Sequence, residues 1–123
     1  MNYPSNVKAA RMTAVRDLID AGAGAGKLEI GTAGMATVLV TVTLNDPSGT
    51  ISGDLLTLSG FPKSPTASAA GTAAAARIRD SNNVDVITGL TVGTSGTDVI
   101  LDNTSIANGQ TVQINSATIQ HAA

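Results

Sequence analysis

Cysteine is absent from this chain of 123 residues, so no disulfide framework and no thiolate metal site can hold it together. Stability has to come from packing or from association. Aromatic residues are nearly absent as well, Tyr3 and Phe61 being the only two. The large rings that usually dominate burial are therefore missing, and any core must rest on Val, Ile and Leu. Charge is scarce: 13% of residues carry one and the net charge is −2. Without a basic excess the electrostatic attraction behind non-specific nucleic-acid binding is lost, so no nucleic-acid partner is expected. No apolar run approaches the roughly 20 residues of a membrane span. The first residues, MNYPSNVKAARMT, lack the apolar centre of a secretory signal. The expectation is a chain made in the cytoplasm with no membrane partner.

Apolar residues make up 42% of the chain, much of it alanine, and the polar surface comes largely from Thr, Ser and Asn. That composition suits exposed sheet faces rather than a disordered, highly charged chain. The length fits one domain. A helical period runs over residues 6–21, where Val7, Ala10, Ala14, Val15, Leu18 and Ile19 recur at spacings of three and four. Ser5 or Asn6 is the expected N-cap and Gly22 the expected stop. A helix of about four turns is marginal alone and needs something to pack against.

The following Gly22-Ala-Gly-Ala-Gly-Lys27 resembles a phosphate loop only superficially. Such a loop joins a strand to a following helix, with Ser or Thr after the lysine; here the order is helix then strand, and Leu28 follows. The dinucleotide fingerprint fails for the same reason. The segment reads as a permissive linker, giving residues 1–26 as helix and linker and residues 27–123 as a β-sandwich domain.

From Lys27 the period becomes two, broken by turn residues about every ten positions. Over residues 37–44, Val38, Val40, Val42 and Leu44 alternate with Thr37, Leu39, Thr41 and Thr43. Residues 45–49 read as a turn, 54–59 as a strand, and 60–65 as a rigid loop set by Pro62 and Pro65. The alanine-rich 66–80 favours helix on propensity. Gly71-Thr72 in its middle argues for strand instead. Residues 84–92, 98–101 and 111–120 are further strands. The last needs a β-bulge near Ser116, because Val112 and Ile114 have the opposite parity to Ala117 and Ile119. Asn108-Gly109 carries a hairpin signal. The expected fold is mostly β: an antiparallel sandwich, jelly-roll or Ig-like, with one N-terminal α-helix.

Residues for catalysis are few. The single histidine, His121, lies at the C-terminal end, where a held geometry is hard to achieve, and no Gly-x-Ser-x-Gly elbow is present. No enzymatic activity and no cofactor are expected. Asp80, Asp85, Asp98 and Asp102, with Asn82 and Asn83, lack the spacing of a calcium loop and read as turn chemistry. Arg77 and Arg79 share one face of a strand. They suit either a partner's carboxylate or an ion pair across the sheet with Asp85 or Asp98.

Three clusters carry a resemblance: Asp20-Ala-Gly-Ala-Gly-Ala-Gly-Lys-Leu-Glu-Ile30, Ser68-Ala-Ala-Gly-Thr-Ala-Ala-Ala-Ala-Arg-Ile-Arg-Asp-Ser81 and Gly89-Leu-Thr-Val-Gly-Thr-Ser-Gly-Thr-Asp-Val-Ile-Leu-Asp102. With Thr111-Val-Gln-Ile-Asn-Ser116, the chain resembles a family of small virion structural proteins of tailed bacteriophages and prophages. It departs from that family in having Ala75 and Ala76 where an aromatic precedes the arginine. The resemblance implies a virion component. One placement is a capsid decoration (cement) protein bridging major capsid subunits, and the other is a tail, neck or fibre component. Partners would be the major capsid protein, further copies of the chain in a homo-oligomer, or both. Expected contacts are Tyr3, Pro4, Val7, Arg11, Met12, Val15 and Leu18 along the helix, Phe61 in its loop, and Arg77 and Arg79. The alternative for the helix is that it covers one end of its own sheet.

Overall fold

The computed structural model describes residues 4–21, 24–45, 48–52 and 55–120. Among the described residues one α-helix, α1 (Ser5–Ile19), precedes ten strands: β1 (Lys27–Gly31), β2 (Val38–Thr43), β3 (Gly49–Ser52), β4 (Leu55–Leu58), β5 (Gly71–Thr72), β6 (Ala75–Arg79), β7 (Asp85–Gly93), β8 (Val99–Leu101), β9 (Ser105–Ile106) and β10 (Ile114–Gln120), with a single 3-10 turn at Ala33–Met35. The mostly β class with one N-terminal helix is as the sequence indicates. The helix opens differently, however. Pro4 rather than Ser5 or Asn6 is the N-cap, extended at φ −66 and ψ 162, and no side chain caps the helix. The Pro4 carbonyl accepts the amides of Val7 and Lys8, both at 3.1 Å. Gly22, the expected stop, lies outside the described residues. The last helical hydrogen bond of this kind runs from the Asp20 amide to the Arg16 carbonyl at 3.0 Å.

Eight strands form one hydrogen-bonded order, β2-β1-β6-β7-β8-β10-β4-β3, and β5 pairs with β9 alone. Consecutive strands β2 and β3 thus occupy opposite ends of the order. Laid flat, eight strands would hold those ends about 34 Å apart, whereas the six steps from Thr43 to Gly49 reach at most about 21 Å. The sheet must curl. Residues 63–68 run between β10 and β2. Lys63 and Ile114 exchange backbone hydrogen bonds, Val112 donates to the Pro65 carbonyl, and the Ser68 amide reaches the Leu39 carbonyl on β2. Eight of the ten strands therefore form one continuous curled order, with β5 and β9 as a separate pair, so the mostly β class holds while its sandwich form is not shown.

Three local departures follow from this curl. β2 and β3 do not pair as a hairpin, because β3, which the sequence pattern did not suggest, joins β4 at the far end; residues 46 and 47 of the expected turn lie outside the described residues. The Asn108-Gly109 turn forms, with Gly109 at φ 83 and the Gln110 amide on the Ala107 carbonyl. Yet Ala67 inserts beside it, taking the Gly109 amide and donating to the Gln110 carbonyl, so the flanking segments never pair with each other. The order is also not wholly antiparallel: β7 and β8 pair in parallel at Val92↔Val99 and Gly93↔Ile100. A connection this short is unusual for parallel strands. Asp98 pins it, its carboxylate accepting both the Thr91 amide at 3.0 Å and the Thr91 hydroxyl at 3.1 Å.

The alanine-rich segment is strand, as read. Ala76 sits opposite both Ile30 and Leu90 with no exposed surface, a position where only a small side chain suits three adjacent strands. In β10 the register shifts between Ile114 and Ser116, which leaves Asn115 as the extra residue of the expected bulge. Val112, Ile114, Ala117 and Ile119 all reach the core in consequence. That core also holds Leu28, Ile30, Leu56, Ile78 and Leu101, along with Val40, Val42 and Leu44 from β2. Leu39, on the opposite face of β2, is fully buried too. The chain around Gly71 crosses it there: a Cβ built at Gly71 would lie 3.2 Å from Leu39 Cδ2.

Candidate functional site

The helix packs on its own domain, against β3, β4 and β7. Its inward stripe is Met12, Val15 and Ile19, with Met12 and Ile19 in the core and Val15 packed on it. This stripe is rotated from the one that the sequence suggested. Spacing alone admits two overlapping stripes, and the one with the bulkier side chains removes more apolar surface from water. Ala10, Ala14 and Leu18 are left exposed. Met12, expected as a partner contact, is 2% exposed and so unable to meet another protein in this packing.

The C-terminal end of α1 is fastened on two sides. The Asp20 carboxylate accepts the Ser48 amide through both oxygens, at 3.0 and 3.2 Å, next to β3. The Ala21 carbonyl accepts the Ser81 hydroxyl at 3.1 Å, in the turn between β6 and β7. Beneath these bonds a Cβ at Gly26 would stand 2.7 Å from Ile19 Cγ2 and 2.9 Å from the Arg79 carbonyl oxygen. Glycine is needed there because helix and sheet approach so closely.

The turn over residues 80–84 is built by Asp80, whose Oδ1 accepts the amides of Asn82 at 2.9 Å and Val84 at 3.0 Å. Asn83 takes the left-handed conformation at φ 63, which asparagine tolerates better than most residues. This geometry turns Val84 outward. Val84 and Leu18 are each 58% exposed, and they are the exposed large apolar side chains among the described residues. Leu18 lies three residues before Ala21, and Val84 three residues after Ser81.

Charged groups are gathered on the neighbouring strands β1, β6 and β7. Lys27 Nζ donates to Asn83 Oδ1 at 3.0 Å. Arg79 Nε donates to Asp85 Oδ1 at 2.7 Å, and Arg77 Nε to Glu29 Oε1 at 2.6 Å. Glu29 Oε1 is also 3.6 Å from Arg79 Nε. Arg77 and Arg79 thus share a face, as their spacing implies, and the partner Asp85 is one of the two anticipated. Glu29, 48 residues from Arg77, was not anticipated. Its side chain is 12% exposed, against 20% for Arg77 and 24% for Arg79, so this pair is partly desolvated. Glu29→Ala should destabilise the fold by about 2 kcal/mol, between the values for surface and buried pairs. Asp85, 46% exposed, should cost under about 1 kcal/mol when replaced by Ala. Urea denaturation of the two variants checks the order, and equal costs would show that solvent screens both pairs alike.

The other expected contacts are dispersed. Tyr3 lies outside the described residues, Pro4 and Arg11 are exposed, and Val7 is half-buried. Phe61 is half-buried and packs on the core, with Lys63 Nζ 5.8 Å from its ring centre. Val84 escaped sequence reasoning because its parity continues that of Val86 in β7. The asparagine pair before it is the signal that could have marked it as part of the turn. No cavity and no grouping of three metal-ligating side chains occurs among the described residues. The carboxylates of Asp80, Asp98, Glu29 and Asp85 are all engaged in the structural bonds given above. Comparison with known protein families, with curated proteins and with solved structures finds no match to this chain.

Proposed function

We propose that this chain is a non-catalytic structural protein of a tailed-bacteriophage particle, a capsid decoration protein that sits on the assembled shell and bridges neighbouring major capsid subunits. The observation that supports an assembling role is the pairing of a filled core with two outward apolar side chains, Leu18 on α1 and Val84 in the turn between β6 and β7. A core that is already complete does not need those side chains, whereas a partner surface gains by covering them. The family resemblance of the sequence supplies the setting. Bridging gives the mechanism: each contact can be modest, because detachment from two subunits requires both to break. Binding only the assembled lattice then stabilises it by mass action.

The test is made on particles with and without the chain. Decoration requires copies in proportion to the major capsid protein, and particles lacking the chain should release their contents at a lower temperature until purified chain is added back. A copy number far below that of the capsid protein, with heat resistance unchanged, would overturn this reading and place the chain in the tail, neck or fibre.

A further inference from the structure

Of the asparagines in the chain only Asn108 is followed by glycine. Asn108 is exposed and stands in the turn closed by the Gln110 amide on the Ala107 carbonyl at 3.0 Å. Asn-Gly is a reactive pair because glycine has no Cβ to obstruct its own nitrogen. Once that nitrogen has given its proton to hydroxide, it can attack Asn108 Cγ. The bond between the Gly109 nitrogen and Cγ forms, the Cγ–Nδ2 bond breaks, and Nδ2 takes a proton from water and leaves as ammonia. Water then opens the five-membered imide at either carbonyl, which gives aspartate or isoaspartate. In this fold the nitrogen is engaged elsewhere: its N–H donates to the Ala67 carbonyl at 2.9 Å.

We infer that Asn108 is a latent site of self-modification, shielded while residues 63–68 are docked and converted to aspartate or isoaspartate when that segment lifts. Ala67 belongs to the segment and clamps the turn twice, because its own amide also donates to the Gln110 carbonyl at 2.8 Å. Lifting the segment breaks both bonds together and frees the Gly109 nitrogen. Isoaspartate then routes the main chain through the former side chain, which lengthens the turn and displaces the Gly109 N–H from Ala67. The chemical change therefore records the opening and keeps it.

The segment is fastened unevenly, which is why it can lift alone. Lys63, Pro65 and Ala67 bond residues 110–114 through their backbone groups. By alternation Ser64, Thr66 and Ser68 direct theirs toward β2. Among the described residues Ser68 alone finds a backbone partner there, the Leu39 carbonyl at 2.8 Å. Thr41 and Thr43 on β2 face the same gap, since the Leu44 amide goes to Gly26 and Val40 and Val42 alternate with them toward β1. A strand held mainly along one edge opens at less cost than the whole fold. The inference is independent of the capsid role, so its failure leaves that reading untouched.

The experiment is incubation of the full chain at mildly alkaline pH, followed by peptide mapping that separates asparagine, aspartate and isoaspartate at residue 108. Conversion in the folded chain should be at least about tenfold slower than in the chain unfolded by urea. Hydrogen exchange on wild type should show the Gly109 and Ala67 amides opening together, and at less denaturant than core amides such as that of Ile30. Ser68→Pro removes the amide donated to Leu39 and should speed conversion by at least about threefold, with circular dichroism showing that it is folded. Gln110→Ala removes the side-chain bond to the Ala107 amide but leaves both Ala67 bonds, and should stay within about twofold of wild type. Equal rates in the folded and unfolded chain would overturn the proposal. So would a folded Ser68→Pro that converts no faster than wild type, a Gln110→Ala that converts faster than Ser68→Pro, or a Gly109 amide that exchanges only when the core does. If Ser68→Pro does not fold, the comparison of folded with unfolded wild type and its exchange pattern decide the matter.

Discussion

Val40→Asp should lower the stability of the chain by about 6 kcal/mol at neutral pH. Val40 has no exposed surface, stands opposite Ile30 on β1, and lies in a core whose only buried polar residue among those described is Ser48. No buried cation among the described residues can pair with a carboxylate, so the acid must stay protonated in the fold. Holding an acid of ordinary pKa about 3.9 neutral at pH 7 costs about 4 kcal/mol. Losing the valine burial adds about 2 kcal/mol. A domain of this size is stable by about 6 to 18 kcal/mol in all, so the loss removes a third or more of it. The pH dependence has a definite sign. The folded-state pKa of the introduced acid is raised above its unfolded value, so the deficit is full at neutral pH and shrinks as pH falls toward about 4. Thr41→Asp, one residue away and exposed, should stay within about 0.5 kcal/mol of wild type. Chemical denaturation of both variants at pH 7 and pH 4.5 checks the contrast. A folded Val40→Asp with wild-type stability would mean that β2 turns its other face to the core.

The inward face of β2 was readable because hydroxyl and apolar side chains alternate strictly over Val40 to Thr43, and a period of two has only two possible registers. The same alternation could not reveal that Leu39 is buried from the other side. That burial depends on residues near Gly71, which reach it through the Ser68 amide 29 positions along the chain. The bulge in β10 was readable for a local reason: four apolar residues of mixed parity can share one core only if one residue is left unpaired. Strand order was not readable, because a short segment such as residues 44–48 is equally consistent with a hairpin and with a link between the two ends of a curled sheet.

At the candidate site the limits are similar. The common face of Arg77 and Arg79 follows from their spacing in a strand, whereas Glu29 is brought to them by the pairing of β1 with β6. The exposure of Leu18 depends on which of two neighbouring helix residues turns inward. Leu18 and Ile19 both fit a period of 3.6, and the choice between them rests on the close approach at Gly26, which is a tertiary contact. Parity also placed Val84 with Val86. Its exposure comes from Asp80 capturing the Val84 amide, a bond that ends the strand pattern one residue early.

Ile19→Ala should cost about 3 kcal/mol, within the range for removing most of a buried aliphatic side chain. Ile19 has no exposed surface, and Gly26 closes over it so tightly that the surroundings can collapse only in part. Leu18→Ala should cost under about 0.5 kcal/mol, because Leu18 is exposed and alanine forms helix at least as well. Two adjacent apolar residues thus separate the helix face bound to its own domain from the face turned to solvent. Gly26→Ala presses on the same contact from the sheet side. Its added methyl would meet Ile19 Cγ2 at 2.7 Å, together with the carbonyl oxygens of Ile19 at 2.8 Å and Arg79 at 2.9 Å. The expected cost is about 2 kcal/mol. Combining Ile19→Ala with Gly26→Ala should cost less than the sum of the two, since removing Cγ2 relieves the first clash and the new methyl occupies part of the space vacated. Relief is incomplete, because both carbonyl oxygens remain. Urea denaturation of the full cycle measures the coupling. A strictly additive double variant, or an Ile19→Ala change no larger than that of Leu18→Ala, would show that the helix is not docked through Ile19.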